Sequence, residues 1–376
     1  MASGYKILLL GDYSNCHANL AKALKQKGHY VMLMAPFNYL SSGQIDIDTA
    51  RGEGKLGGMA LYLKASGLWH NQMKGYDFVA INDPMFMSLK PHRLKKIFIR
   101  LKRENGAVFY TSMSTDVNYL RMCAAPESPL RFSEYFLEGK PSPWQLEHPE
   151  KWKAWNNPEI IDYQDYIFDN IDGAMSVLYE YHMGLKFRFP QAKIAYGGLP
   201  VNTSEIPFLG VNLSGRTKIL LCRDRKRIKM KGSDILEEAA LKLVERYSDE
   251  LELDIAENLP FNDFMEKLKR SDVILDQAYS YTPATTALLA MAMGKTVVSG
   301  GEPEFYDFIG ENSNHPIINA TYDSGNLLST MERTVTDKKF LEKNAFKSRE
   351  FVEKHNDSMK VAERFVESWN KFCTKS

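Results

Sequence analysis

Short apolar runs alternate with amphipathic stretches along the whole chain. YKILLL at 5–10, HYVMLM at 29–34, YDFVAINDP at 76–84, RTKILLCRD at 216–224, VIL at 273–275 and TVV at 296–298 are near-continuous apolar blocks. Such blocks suit strands buried on both faces of a parallel sheet. HANLAKALKQKG, KPHRLKKIFIRLKR (90–103) and SDILEEAALKLVERY lie between them and carry apolar residues at helical spacing. The alternation of strand and helix predicts an α/β protein with two successive βαβ series, the second opening at Lys218. Residues 41–75 read as a glycine-rich loop followed by a helix, ALYLKASGLWHNQMKG. Residues 118–164, dense in aromatics and proline, read as an insertion packed over the first domain. HPIINA reads as a last strand, followed by helices to the C-terminus.

At 376 residues the chain is long for one domain and comfortable for two. Its 44% hydrophobic and 25% charged content is that of a globular protein, and a net charge of +1 gives no general field for nucleic acid. The four cysteines are far apart and form no CxxC pair, which argues for free thiols in a reducing compartment. The N-terminal apolar run is too short for a signal peptide, and no segment has the length of a transmembrane helix. These features predict a cytoplasmic protein.

The most informative stretch is 271–310, SDVILDQAYSYTPATTALLAMAMGKTVVSGGEPEFYDFIG. It reads as strand, loop, helix, strand, with Gly294 closing the helix. Thr282, Pro283, Ala284, Thr285 and Thr286 are expected to open that helix. Free N–H groups, the positive end of the helix dipole and small side chains suit a phosphate there. The plain alternative is a Thr-capped turn. The opening βαβ unit lacks G-x-G-x-x-G, so a dinucleotide site is not expected at the turn Gly11-Asp12-Tyr13-Ser14-Asn15.

ALLAMAMGKTVVSGGEPEFYDFIG resembles the donor-site segment of retaining glycosyltransferases of the GT-B fold, which reads E-G-F-G-x-x-x-L-E-A-M-A-x-G-x-P-V-V and then G-G-x-P-E. Ala290-Met291-Ala292, Gly294, Val297-Val298, Gly300-Gly301 and Pro303-Glu304 fall in register. The family's two glutamates would lie at Tyr281 and Leu289, so the usual acidic pair is absent. YDFVAINDP is similar to the family's D-V-V-H-x-H-D-P strand, and Arg223 with Lys231 matches the two cations of its G-R-x-x-x-x-K-G segment, with Lys226 and Lys229 as rivals for the second place.

The resemblance implies two Rossmann-like domains facing across a cleft, with an N-terminal acceptor domain at 1–205, a C-terminal nucleotide-sugar domain at 206–350 and a helix at 351–376 crossing back. It implies a glycosyltransferase that moves a sugar, with retention, from a nucleotide-diphosphate sugar to a glycan or lipid-linked acceptor. Variants of this kind resemble bacterial surface-polysaccharide enzymes. Arg223 and Lys231 would stabilise the leaving diphosphate without a metal or other cofactor. Thr282, Ala284, Thr285, Thr286, Tyr281, Asn258, Glu302 and Glu304 would line the donor site. Gly11, Asp12, Asp83 and Asp116, at expected carboxyl ends of strands, would meet the acceptor. Helix 90–103 reads either as an ordinary crossover helix or as a basic face drawn to the inner membrane surface. Two other readings stay open: a catalytically degenerate sugar-nucleotide or glycan-binding protein, and a sugar-nucleotide epimerase of the same architecture.

Overall fold

The computed structural model describes residues 4–37 and 44–374. Of the stretch expected to be irregular at 41–75, residues 41–43 lie outside the described residues. Where a helix was expected from Ala60, one already runs over Gly54–Leu63 and passes into a wider turn at Lys64–Leu68.

The chain divides into two compact units. The first holds Met1–Met122, Pro149–Pro200 and Ser358–Ser376, and the second holds Cys123–His148 and Val201–Asp357. The units thus change over at Val201 and Ser358, a few residues from the boundaries drawn at 205/206 and 350/351. Residues 123–148 were expected to cover the first domain, yet they belong to the second unit. Their side chains pair with loops of that unit, as Arg131 does with Glu302 and Glu138 with Tyr322. The rest of the expected insertion is not irregular, because Pro158–Asn170 is a helix whose N-cap Asn157 accepts from the N–H of Glu159.

In chain order the strands are β1 (Lys6–Leu10), β2 (Tyr30–Ala35), β3 (Ile47–Asp48), β4 (Phe78–Ile81), β5 (Ala107–Ser112), a two-strand hairpin of β6 (Phe136–Leu137) and β7 (Lys140–Pro141), β8 (Gly173–Ser176) and β9 (Ile194–Tyr196). The second unit continues with β10 (Thr217–Arg223), β11 (Leu251–Glu257), β12 (Val273–Leu275), β13 (Thr296–Ser299) and β14 (Ile318–Asn319). The first sheet has the order β3-β2-β1-β4-β5-β8-β9 and is parallel throughout. The second has the order β11-β10-β12-β13-β14, again all parallel. Both are doubly wound, and each reverses its strand order once, between β1 and β4 and between β10 and β12. Ligands of such sheets bind outside the carboxyl ends of the strands at that reversal.

The C-terminal helix Ser358–Cys373 packs in the first unit. Its Trp369 is fully buried and stacks on Phe109 at 5.6 Å, with Phe78 and Phe365 around it. Removing a buried indole leaves a large void, so Trp369→Ala should cost about 4 kcal/mol of unfolding free energy. Chemical denaturation measures this, and a loss below about 1 kcal/mol would contradict the packing described.

Candidate functional site

In the second unit, β10 and β12 pair with Leu221 opposite Leu275. Arg223 closes β10, and Asp276 follows β12 directly. Between Arg223 and the next helix lies a turn at 224–227 and a one-turn helix, Ile228–Lys231, where a basic loop was expected. The N-cap of the following helix, Ser233–Arg246, is Gly232, with no side-chain cap. Gly232 has φ +68, and a Cβ there would lie 2.9 Å from that of Ala278. Only glycine lets the Lys231 turn pack this closely on the loop after β12. The N–H of Ala278 donates to the Lys231 carbonyl at 2.7 Å, and Lys231 Nζ lies 3.7 Å from Asp276 Oδ1. The Lys231 ammonium is thereby brought to the strand reversal.

Arg223 stands there with its charge already answered. Its Nη1 donates to Glu237 at 2.8 and 2.7 Å, and its Nε lies 2.6 Å from Glu257 Oε2. Burial works against its charge, but both carboxylates outweigh that and raise its pKa. The guanidinium is held in one orientation and stays about one-fifth exposed. Glu237 reaches Arg223 from the helix Ser233–Arg246, a pairing that no motif in the sequence marks. Asn258 adopts a left-handed conformation at φ 49, and its Oδ1 accepts from the N–H of Arg225, which pins the turn after β11.

The helix after β12 spans Thr285–Ala292, with Ala284 as an extended N-cap and no side-chain cap. Pro283 therefore precedes the helix instead of opening it. The Thr285 end offers N–H groups without a capping side chain or a first-turn acid. Thr282 is buried, whereas Ala284, Thr285 and Thr286 are half-buried.

Tyr281 is buried beneath residues 131–132. Its hydroxyl accepts from the N–H of Arg131 at 2.7 Å, and Phe132 stacks on its ring at 4.5 Å. Arg131 Nη2 reaches Glu302 at 2.5 Å and Glu304 at 3.0 Å. The other oxygen of Glu302 accepts from Asn319 Nδ2 at 2.7 Å, so both oxygens of this buried side chain are engaged. Glu304, in contrast, is partly exposed, with 38% of its side-chain surface accessible. No local signal in RFSEYF marks Arg131 as the partner of these acids.

In the first unit, the carboxyl ends of β1, β4 and β5 carry Gly11, Asp12, Asn82, Asp83 and Asp116. Gly11 has φ +75, and a Cβ there would lie 1.9 Å from Asn82 Oδ1, so the β1 turn is built for close approach. Asp12 accepts from the N–H of His17. His17 is buried, which lowers its pKa to about 4. The neutral ring donates from Nδ1 to the Gly11 carbonyl at 2.7 Å, and Nε2 accepts from Thr111. Asp83 accepts from Ser114 at 2.7 Å and from the N–H of Met85. Asp116 accepts from Tyr110 at 2.6 Å and from the N–H of Tyr119. Burial pushes Asp12 and Asp83 up to about 6 against these hydrogen bonds, and it raises Asp116 as well. Burial also leaves Asp12 Oδ2 and Asn82 Oδ1 without a partner. Carboxyls held at such a cost mark a candidate ligand site.

No family model matches the chain, and no curated protein matches it. Solved structures do. Sucrose-phosphate synthase from Thermosynechococcus elongatus is 14% identical, with a TM-score of 0.62 over 99% of this chain and 100% of that one. HepE of Anabaena, in complex with UDP-glucose, is 12% identical with a TM-score of 0.58, covering 97% and 99%. A putative UDP-N-acetylglucosamine 2-epimerase from Listeria monocytogenes is 13% identical with a TM-score of 0.55, covering 99% and 98%. At these identities the likeness establishes the fold: the chain is an α/β protein of the GT-B fold, with two Rossmann-like units.

Proposed function

We propose that the protein is a glycosyltransferase that moves a sugar from a nucleotide-diphosphate sugar to a glycan or lipid-linked acceptor. The observation that carries this reading is that Arg223 closes β10 while the Lys231 ammonium lies beside Asp276 just after β12, so two cations stand at the strand ends of the reversal in the second sheet. Two cations at adjacent strand ends, followed in the chain by a helix N-terminus without a capping side chain, suit a diphosphate. Negative charge grows on the diphosphate as the glycosidic bond breaks, and these groups stabilise it without calling for a metal or other cofactor. Asp12, Asp83 and Asp116 are assigned to the acceptor. HepE, which has this fold, is complexed with UDP-glucose, and that supports a nucleotide sugar as donor. Retention of configuration and a role in bacterial surface polysaccharide are parts of the same proposal. So is a cytoplasmic location, with the exposed His92, Lys96 and Arg103 of the helix Pro91–Glu104 turned to anionic lipid.

Two observations favour other readings. The 2-epimerase has the same fold, and Arg223 is already paired with two carboxylates, as it would be in a protein that has lost catalysis. A thermal-shift screen against UDP, GDP, ADP, CMP and their common sugar conjugates tests the donor site. Ligand at a hundred times its Kd stabilises by about 2.7 kcal/mol. Arg223→Ala should abolish the shift given by the matching nucleotide. If no nucleotide stabilises the wild type, the transferase reading falls. Conversion of UDP-N-acetylglucosamine to its 2-epimer, followed by NMR, would decide for the epimerase.

A further inference from the structure

Three side chains crowd the ends of β12 and β13 in the second unit, and their charges do not cancel. The Arg131 guanidinium, 53% exposed, is shared by Glu302 at 5% and Glu304 at 38% exposure. It also lies 5.8 Å from the Tyr281 ring centroid and 5.7 Å from that of Phe132. On the same rim Tyr322 stacks edge-on against Phe132 and donates to Glu138. One cation thus faces two carboxylates. Tyr281 itself is sealed beneath Phe132, so neither it nor the fully engaged Glu302 offers a group to a ligand. Of the Arg131, Glu302 and Glu304 side chains, Arg131 and Glu304 are the accessible ones.

We propose that Arg131 and Glu304 contact the donor sugar and select a neutral sugar over one carrying a carboxylate. The inference rests on the transferase reading and names its substrate class. A sugar hydroxyl both donates and accepts, so it meets the Glu304 oxygen and the guanidinium edge together. A hexuronate brings a further negative charge to a group in which two carboxylates already share one guanidinium. Because Arg131 is fixed by Glu302 and by its own N–H on Tyr281, the pair is held in place before a ligand arrives.

Calorimetric titration of the whole protein decides the matter, using UDP, UDP-glucose, UDP-glucuronate, GDP, GDP-mannose and GDP-mannuronate. The wild type should bind the neutral conjugate of its nucleotide at least tenfold tighter than the acidic one. Glu304→Gln should narrow that ratio at least fivefold and leave the free nucleoside diphosphate within twofold. Arg131→Gln should weaken the neutral conjugate at least fivefold, again sparing the free nucleotide. Equal or tighter binding of the uronate conjugate overturns the inference. So does a uniform change for nucleotide and conjugates in both variants, which would mark a structural role only. If none of the six ligands binds the wild type, the inference fails, whereas the transferase reading falls only if ADP, CMP and their conjugates also fail to bind.

Discussion

Replacing Glu311 with alanine will lower the unfolding free energy by about 3 kcal/mol at neutral pH. The Glu311 side chain is only 1% exposed, yet its charge is fully answered. Lys354 Nζ lies at 2.6 Å and His355 Nε2 at 2.9 Å from Oε2, while Oε1 accepts from the N–H groups of Ser313 and Asn314. These contacts tie the loop after β13's helix to the end of the helix Lys338–His355. Deleting the carboxylate removes the acceptor of five donors, the Ser313 hydroxyl among them, and such losses run to about 3 kcal/mol or more. Burial raises the Glu311 pKa, but the ammonium, the imidazole and the two N–H groups outweigh it and hold the carboxyl well below its ordinary 4.5. For a depressed carboxyl the stabilisation is present above the unfolded value and is lost as pH falls toward the folded one. The wild type should therefore lose stability progressively below about pH 4.5, and Glu311→Ala should show a flatter profile there. A thermal-melting series from pH 7 to pH 3 checks this. Parallel curves for the two proteins would show that the clamp contributes nothing.

The strands were legible in the sequence because each is a run of apolar residues with no competing period. Lys6–Leu10, Thr217–Arg223 and Val273–Leu275 lie within residues read as strands. Arg223 and Lys231 were singled out by the resemblance to a G-R-x-x-x-x-K-G segment, and the structure sets one at the end of β10 and the other in the one-turn helix that follows. What surrounds them was not. Glu237 and Glu257 come from a helix and a neighbouring strand, and their pairing with Arg223 depends on side-chain reach across the sheet. Gly232 is the N-cap of the next helix because the Lys231 turn must approach Ala278, a contact 46 residues away that has no local signature. The placement of residues 123–148 was misread for the same reason. Tryptophans and prolines declare that a segment packs, whereas Arg131, Phe132 and Glu138 decide on what it packs. Pro283 misled more simply: proline suits both the first turn of a helix and the residue before its cap, and here the chain stays extended through Ala284.

Asp83→Asn should stabilise the protein above pH 6, the opposite of Glu311→Ala. Asp83 is half-buried at the end of β4, and burial is the main cause that lifts its pKa from 3.8 to about 6, with the nearby Asp116 adding to it. Hydrogen bonds from Ser114 and the N–H of Met85 oppose the rise without cancelling it. For a raised carboxyl the linkage runs the other way. Between pH 3.8 and about 6 the folded protein keeps a proton that the unfolded chain has released, so stability falls as pH rises through that window. A fully buried carboxyl shifted this far costs about 3 kcal/mol at neutral pH, and partial exposure reduces the expected gain in Asp83→Asn to about 1–2 kcal/mol. The amide oxygen still accepts from Met85, and the Ser114 hydroxyl turns to accept from the new NH2 group. Melting curves at pH 8 and pH 4 measure the difference, which should be present at the first and absent at the second. If the same variant also loses transfer to acceptor while still binding the nucleotide sugar, the strain at β4 serves acceptor chemistry. A variant that is less stable at both pH values would instead make Asp83 a structural acceptor of hydrogen bonds, and the acceptor site would have to rest on Asp12 and Asp116.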